Sequence, residues 1–324
     1  MPFGCHTLLL SQEGDLLAFG NNDEGQLGLG HKNNQLTPAK VSWNGPQPVQ
    51  VDCALEHSIV LDAEGGVWEA GNNRISPSSL TFQRVPELPP IALVAAGYAH
   101  SAAIDIKGDL WVWACSAAGL SWASLLPQRV EGLPPLIKVA CGNNFLVAEA
   151  DEGLWVLGDN SQGQLGLGHT NNALQPTLVQ VEERSAGSLR CLAALFSGLI
   201  VIDSEGAVFS AGSNSYGELG RSGSALTLQR ISGIPLMVDA SSGYYHTLAL
   251  DETGGVWTWG YCEYGQLGMD NTSNLPTCSC TVVGRNMRSR RFWSSLFGLP
   301  TGWWLASLRI QCLRATRAQP YNQS

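Results

Sequence analysis

HTLALDETGGVWTWG, residues 246–260, reads as two short apolar runs around an acidic, glycine-containing turn. Runs of this length, broken by turn residues, are too short for helices and fit the two strands of a β-hairpin. The stretch opens on His246 and closes fourteen residues later on the small residue Gly260.

The same plan recurs along the chain. HTLLLSQEGDLLAFG (6–20) and HSAAIDIKGDLWVWA (100–114) repeat it, and a fourth clear copy runs from His57 to Gly71. Two degenerate copies lead from Phe145 to Gly158 and from Gly198 to Gly212. The landmarks Gly20, Gly71, Ala114, Gly158, Gly212 and Gly260 stand 51, 43, 44, 54 and 48 residues apart. A period of this size marks a repeat architecture, in which each unit buries its apolar faces only by stacking on its neighbours. Val67-Trp68, Leu110-Trp111, Leu154-Trp155 and Val256-Trp257 put a bulky pair at one point in four units, as a propeller blade packed on both sides requires.

A second motif follows the small residue: NNDEGQLGLGHKNN (21–34), DNSQGQLGLGHTNN (159–172), SNSYGELG (213–220) and YCEYGQLG (261–268). Gly-x-x-His-Ser/Thr, a Trp-x-Trp/Phe-Gly strand and then Asn-x-x-Gly-Gln-Leu-Gly together resemble the regulator of chromosome condensation repeat family over residues 1–283. The resemblance implies an all-β fold, a β-propeller of four-stranded antiparallel blades. Six repeats are recognisable, whereas the family ring usually has seven blades. The units at 71–79 and 114–122 lack the glycine box, so their loops are expected to be shorter or rebuilt.

Hydrophobic residues make up 44% and charged residues 14%, with 37 glycines and 11 tryptophans, which supplies a large core and many tight turns. A length of 324 suggests two domains by division, but the repeat makes one propeller simpler. Residues 284–324 change character, with seven arginines, no lysine and no acidic residue. Taking that +7 from the chain's −9 leaves −16 for residues 1–283. The tail reads either as a basic aromatic anchor for an anionic partner or membrane surface, or as a disordered or artefactual sequence from another reading frame or exon. The abrupt end of the repeat near Val283 favours the second reading. Pro300, Gly298 and Gly302 interrupt it too often for a membrane-spanning helix.

Met1–Gly14 lacks a basic start and a long apolar run, so no secretory signal is expected. Nine scattered cysteines without a Cys-x-x-Cys pair read as reduced, buried thiols, and the expected compartment is cytoplasm or nucleus. Asn271-Thr272-Ser273 fits a glycosylation sequon, read as chance without a secretory signal.

Several features invite a chemical reading and fail it. GQLGLG (25–30, 163–168) has no Gly-Lys-Ser/Thr ending and opens no helix, so Gly28, Gly166, Gly220 and Gly268 read as turn residues at positive φ and not as a phosphate cradle. His6, His57, His100 and His246 occupy equivalent places in separate units. They cannot converge on a metal, and each is expected to lock a strand end within its blade. No Gly-x-Ser-x-Gly elbow is present. The DAEGG (62–66) and DETGG (251–255) carboxylates are expected to be exposed, solubilising turn residues. No catalytic residue, cofactor or metal is therefore expected.

The loops after the small residue are the better candidates, because one propeller face gathers them on a rigid scaffold. They carry Asp23, Glu24, Gln162, Tyr216, Glu218, Glu263 and Tyr264 as partner-binding residues. An acidic core repels nucleic acid, whose affinity comes chiefly from phosphate neutralisation. The expected function is a non-catalytic, monomeric propeller scaffold for protein binding. The alternative is guanine-nucleotide exchange on a small GTPase, which the family resemblance implies through its founding member. Exchange requires an inserted wedge, and none stands out in the short, Pro-rich connections at 80–96 and 123–139.

Overall fold

The computed structural model describes residues 6–11, 14–72, 79–114, 126–179, 181, 185, 187–263, 267–268 and 275–282. These residues form an all-β propeller of six antiparallel sheets about a common axis. Blade 1 has three strands: His6–Leu10, Leu16–Gly20 and Gln35–Lys40. Each later blade has four, laid side by side in chain order from an inner strand outward. The inner strands are Pro48–Cys53, Ile91–Ala96, Leu136–Cys141, Cys191–Ala194 and Met237–Ser242.

The spacing, fourteen residues in all units but the thirteen of Phe145–Gly158, is a pairing register. His6 lies opposite Gly20, His57 opposite Gly71, Phe145 opposite Gly158, Gly198 opposite Gly212, and His246 opposite Gly260. From blade 2 onward each hairpin is thus the second and third strand of its blade, and in blade 1 it is the first and second described strands. Gly71 takes φ +102° and a Cβ there would meet the Glu56 carbonyl at 2.3 Å, so backbone approach as well as conformation demands glycine.

The core lies in the seams. Alternate residues of a strand point to opposite faces, so Ile59 and Leu61 pack towards blade 3 while Val60 packs towards blade 1. Five apolar clusters fill the five seams from blade 1 to blade 6. Trp113 and Trp259 are fully buried in two of them. Among the described residues no such cluster joins blade 6 to blade 1, and Leu248 and Leu250 are only half-buried.

His6 and His57 act across seams and not within a blade. His6 Nε2 lies 2.7 Å from the Ser58 hydroxyl of blade 2, and His57 Nε2 lies 3.0 Å from the Ser101 hydroxyl of blade 3. The geometric reason is alternation: His and the following Ser point to opposite faces, so each reaches a different neighbour. Burial depresses the imidazole pKa to about 3 in His6, where His57 adds to the effect, and to about 4 in His57 and His246.

The first carboxylates of the hairpin turns also depart from expectation, whereas Glu64 and Glu252 are exposed. Asp62, Asp105, Asp203 and Asp251 are buried. Asp251 Oδ1 accepts the N–H groups of Thr253 and Gly255, both at 2.8 Å, and Oδ2 accepts the Trp257 indole N–H at 2.9 Å. Burial alone would raise the carboxyl pKa of Asp105, Asp203 and Asp251, but the donors directed at them outweigh it and lower it. These residues hold the turn together.

Candidate functional face

Strand direction separates two ends of the propeller. The turns after the inner strands and the loops after Gly20, Gly71, Gly158, Gly212 and Gly260 lie at one end, here the loop face. The hairpin turns and the connections between blades lie at the other.

The loops are held by their own side chains. Asn22 Nδ2 donates to the carbonyls of His31 (2.6 Å) and Asn33 (3.1 Å), and its Oδ1 accepts the Leu27 N–H (2.9 Å). Asn160 repeats this with His169, Asn171 and Leu165. In blade 5, Asn214 reaches the Arg221 carbonyl and the Leu219 N–H. Gly28, Gly166, Gly220 and Gly268 take φ of +66°, +70°, +64° and +67°, the left-handed turn conformation.

Around the axis, Gly-x-x-His has a steric origin. A Cβ at Gly97 would lie 2.2 Å from the His100 ring, and one at Gly243 would lie 2.1 Å from His246. In blade 5 the sizes are exchanged, with Leu195 where blades 3, 4 and 6 have glycine (blade 2 has Ala54) and Gly198 where they have His or Phe. The turns are stitched by backbone bonds: Tyr98 N–H to Gly142 O, Asn143 N–H to Phe196 O, and Phe196 N–H to Tyr244 O, at 3.0, 3.1 and 3.2 Å.

These turns carry aromatic rings. Tyr98 meets Phe196 at 5.8 Å between centroids, and Phe196 stacks on Tyr244 at 4.7 Å. Tyr245 joins them to Tyr216 (5.1 Å), and Tyr216 meets Tyr261 (4.8 Å). Six rings from blades 3, 5 and 6 thus form one continuous patch. A cavity of about 70 Å³ lies at the axial mouth, lined by the turn residues that include Tyr98, Phe196 and Tyr244. Tyr98 and Tyr216 are 36% and 38% exposed, so the patch is open at the surface. Burial raises the Tyr245 phenol pKa, with Tyr216 and Glu218 adding to it.

The sequence candidates divide on this face. Tyr216 sits within the patch. Glu263 is exposed beside it and accepts a hydrogen bond from the Tyr261 hydroxyl. Glu218 is 1% exposed, and its carboxylate accepts the Tyr216 N–H and the Ser213 hydroxyl. It occupies the place of Gln26 and Gln164, whose side-chain oxygens take the N–H of Glu24 and Gln162. That place is a loop lock. Asp23 is exposed and bonds Asn21, Glu24 pairs with Lys32 at 3.5 Å, and Gln162 is exposed on blade 4. Tyr264, the loops at 73–78 and 115–125, the sequon and the tail at 284–324 lie outside the described residues. Sequence reasoning missed Tyr98, Phe196, Tyr244, Tyr245 and Tyr261. The available signal was the aromatic residue after the turn's first position, as in Gly97-Tyr98, Leu195-Phe196 and Gly243-Tyr244.

Among the described residues no group of three or more His, Cys, Asp or Glu side chains is placed to hold a metal, and no helix is long and apolar enough to cross a membrane. The free cysteines Cys53, Cys141, Cys191 and Cys262 are buried.

Comparison with known proteins agrees with the repeat. The regulator of chromosome condensation (RCC1) repeat matches residues 13–61, 151–190 and 205–250, and a second description of the same repeat matches 237–266. The chain belongs to this propeller repeat family. It is 30% identical over 280 residues to "Probable E3 ubiquitin-protein ligase HERC6" of Homo sapiens, covering 79% of this chain and 22% of HERC6. It is 28% identical to the ultraviolet-B receptor UVR8 of Arabidopsis thaliana, over 86% of this chain and 56% of UVR8. It is 28% identical to the regulator of chromosome condensation of Mus musculus, over 88% and 67%. The chain therefore spans about a fifth and about half of the first two relatives. Among solved structures, Prp20p of Saccharomyces cerevisiae superposes with a TM-score of 0.78 at 21% identity, over 86% of this chain and 75% of Prp20p, which is a likeness of fold.

Proposed function

We propose that this protein is a non-catalytic interaction scaffold whose loop face binds a protein partner. The observation that carries this reading is the aromatic patch from Tyr98 to Tyr261, open at the surface on a rigid ring of turns. Exposed tyrosines on a preorganised frame supply large contact area at low entropic cost, and aromatic residues are enriched at interface centres. Tyr216 and Glu263 contact the partner directly; Asp23, Glu24 and Gln162 lie on the same face as its rim. Buried reduced thiols fit a nuclear or cytoplasmic protein.

The test is comparative affinity capture with the full chain. Tyr98→Ala with Tyr216→Ala should abolish capture of a partner, whereas Ile106→Ala with Leu236→Ala, at the opposite end, should retain it. Equal capture by both pairs would refute the assignment of the face.

A second reading is guanine-nucleotide exchange, supported by likeness to Prp20p, whose structure is described together with its binding to Gsp1p and histones. Release of fluorescent GDP from a panel of small GTPases decides it: acceleration on one member supports exchange, and no acceleration by folded protein leaves the scaffold.

A further inference from the structure

Both ends carry more carboxylates than cations among the described residues, and the loop face is the one without a free cation. The loop face carries Asp23, Glu24, Glu56, Asp159, Glu218 and Glu263 among its described residues. Its described lysine and arginine are both engaged. Lys32 pairs with Glu24, and Arg221 is buried and bonded to Ser210 and to the carbonyls of Ser222, Ser224 and Thr227. The other described cations stand at the opposite end, among more numerous carboxylates such as Glu64, Asp109, Glu152, Glu205 and Glu252. Lys40, Arg84, Arg129 and Arg230 close fourth strands (the third and outermost in blade 1), Lys107 lies in a hairpin turn, and Lys138 and Arg190 stand at the start of inner strands.

The aromatic patch therefore lies in an acidic field. Within it, Tyr216, Tyr245 and Tyr261 are mutually inclined at 51°, 61° and 80°, with centroids 5.1, 4.8 and 6.3 Å apart. Rings so inclined do not hide all their electron-rich faces against one another. A cation over such a face is attracted by the ring quadrupole, and Arg adds planar stacking. The Glu263 carboxylate, held by the Tyr261 hydroxyl, stands beside the rings as a counter-ion.

We propose that the loop face takes a basic segment of a partner protein, with an arginine side chain laid against Tyr216, Tyr245 and Tyr261 and paired with Glu263. This rests on the loop face being the protein-binding surface and adds the chemical class of the partner. The acidic field steers the basic segment on approach, and salt weakens that steering.

The experiment uses the full chain and short fluorescein-labelled peptides of alternating serine with arginine, glutamine or glutamate. Anisotropy should show binding of the arginine peptide, weakened by salt, and none of the glutamate peptide. Tyr216→Ala should weaken binding by roughly five-fold, as the loss of a cation–π contact implies. Tyr216→Phe should retain it, since the ring and not the hydroxyl carries the contact; Glu263→Gln should weaken it. A photo-crosslinking benzoylphenylalanine at position 216 should join the arginine peptide. Crosslinking to residues 284–324 of the same chain would make that arginine-rich tail the occupant and overturn the assignment to a partner. Equal binding of arginine and glutamine peptides, or no binding of the arginine peptide, also overturns it. If either result came with Tyr216-dependent capture of an intact protein, the partner class would be wrong and the face still right.

Discussion

The imidazole Nε2 of His6 and the hydroxyl of Ser58 lie 2.7 Å apart across the seam between blades 1 and 2. The same hydroxyl donates to the Gln26 carbonyl at 2.7 Å, so one serine ties both a strand and a loop of blade 1 to blade 2. Ser58→Ala leaves the buried His6 nitrogen without this partner. It should cost about 1–3 kcal/mol, the usual penalty for an unsatisfied buried polar group. Urea unfolding measures it against Ser222→Ala at an exposed loop position, which should be neutral. Equal midpoints for the two variants would show that the seam bond contributes nothing.

Glu69 lies further along the next such relay. Its Oε1 accepts the Ser101 hydroxyl at 2.6 Å and the Trp113 indole N–H at 3.0 Å, and burial pushes its pKa up to about 7 in spite of both bonds. A carboxyl whose folded pKa is raised contributes stability that is complete below its unfolded pKa, near 4.5, and is lost as pH rises through about 7. The depressed histidines act oppositely: their contribution is present above 6.5 and lost as pH falls through about 3 to 4. Glu69→Gln removes only the first effect. Relative to the unsubstituted protein, the variant should gain on the order of 3 kcal/mol between about pH 4.5 and pH 8. Parallel stability curves over that window would contradict the assignment.

Gly28 and Gly268 separate conformational strain from collision. Both sit at the same positive φ, but a Cβ on Gly28 would lie 2.4 Å from the Phe82 ring, while one on Gly268 meets no described residue within 4 Å. Gly268→Ala should cost about 1–2 kcal/mol, the left-handed backbone penalty alone. Gly28→Ala should cost more, because the seam between blades 1 and 2 must also shift. Thermal or urea unfolding reads the difference; equal costs would place Phe82 elsewhere.

What the sequence revealed depended on local spacing. The His-to-Gly interval became strand register because a hairpin keeps its partners close in the chain, as with His246 and Gly260. The glycine box became a loop lock because Asn22 and Leu27 are five residues apart. The inner strands carry no such landmark: Pro48–Cys53 pairs with the next strand but shows no residue that recurs in Met237–Ser242 at every position. The site was harder to read because Tyr98, Phe196, Tyr216 and Tyr261 meet only once the ring brings distant turns together. Asp62 and Asp251 looked exposed in their turns because nothing in a turn tetrapeptide shows that a tryptophan six residues on will cover the carboxylate.

The most direct test of the central claim, that the loop face is the binding surface, is hydrogen–deuterium exchange of the full chain with and without a captured partner. The account predicts slowed exchange at 97–99, 143–144, 196–197, 213–217 and 243–246, with 62–66, 105–109 and 251–255 unchanged. Protection confined to those last three turns would place the partner at the opposite end and contradict the account.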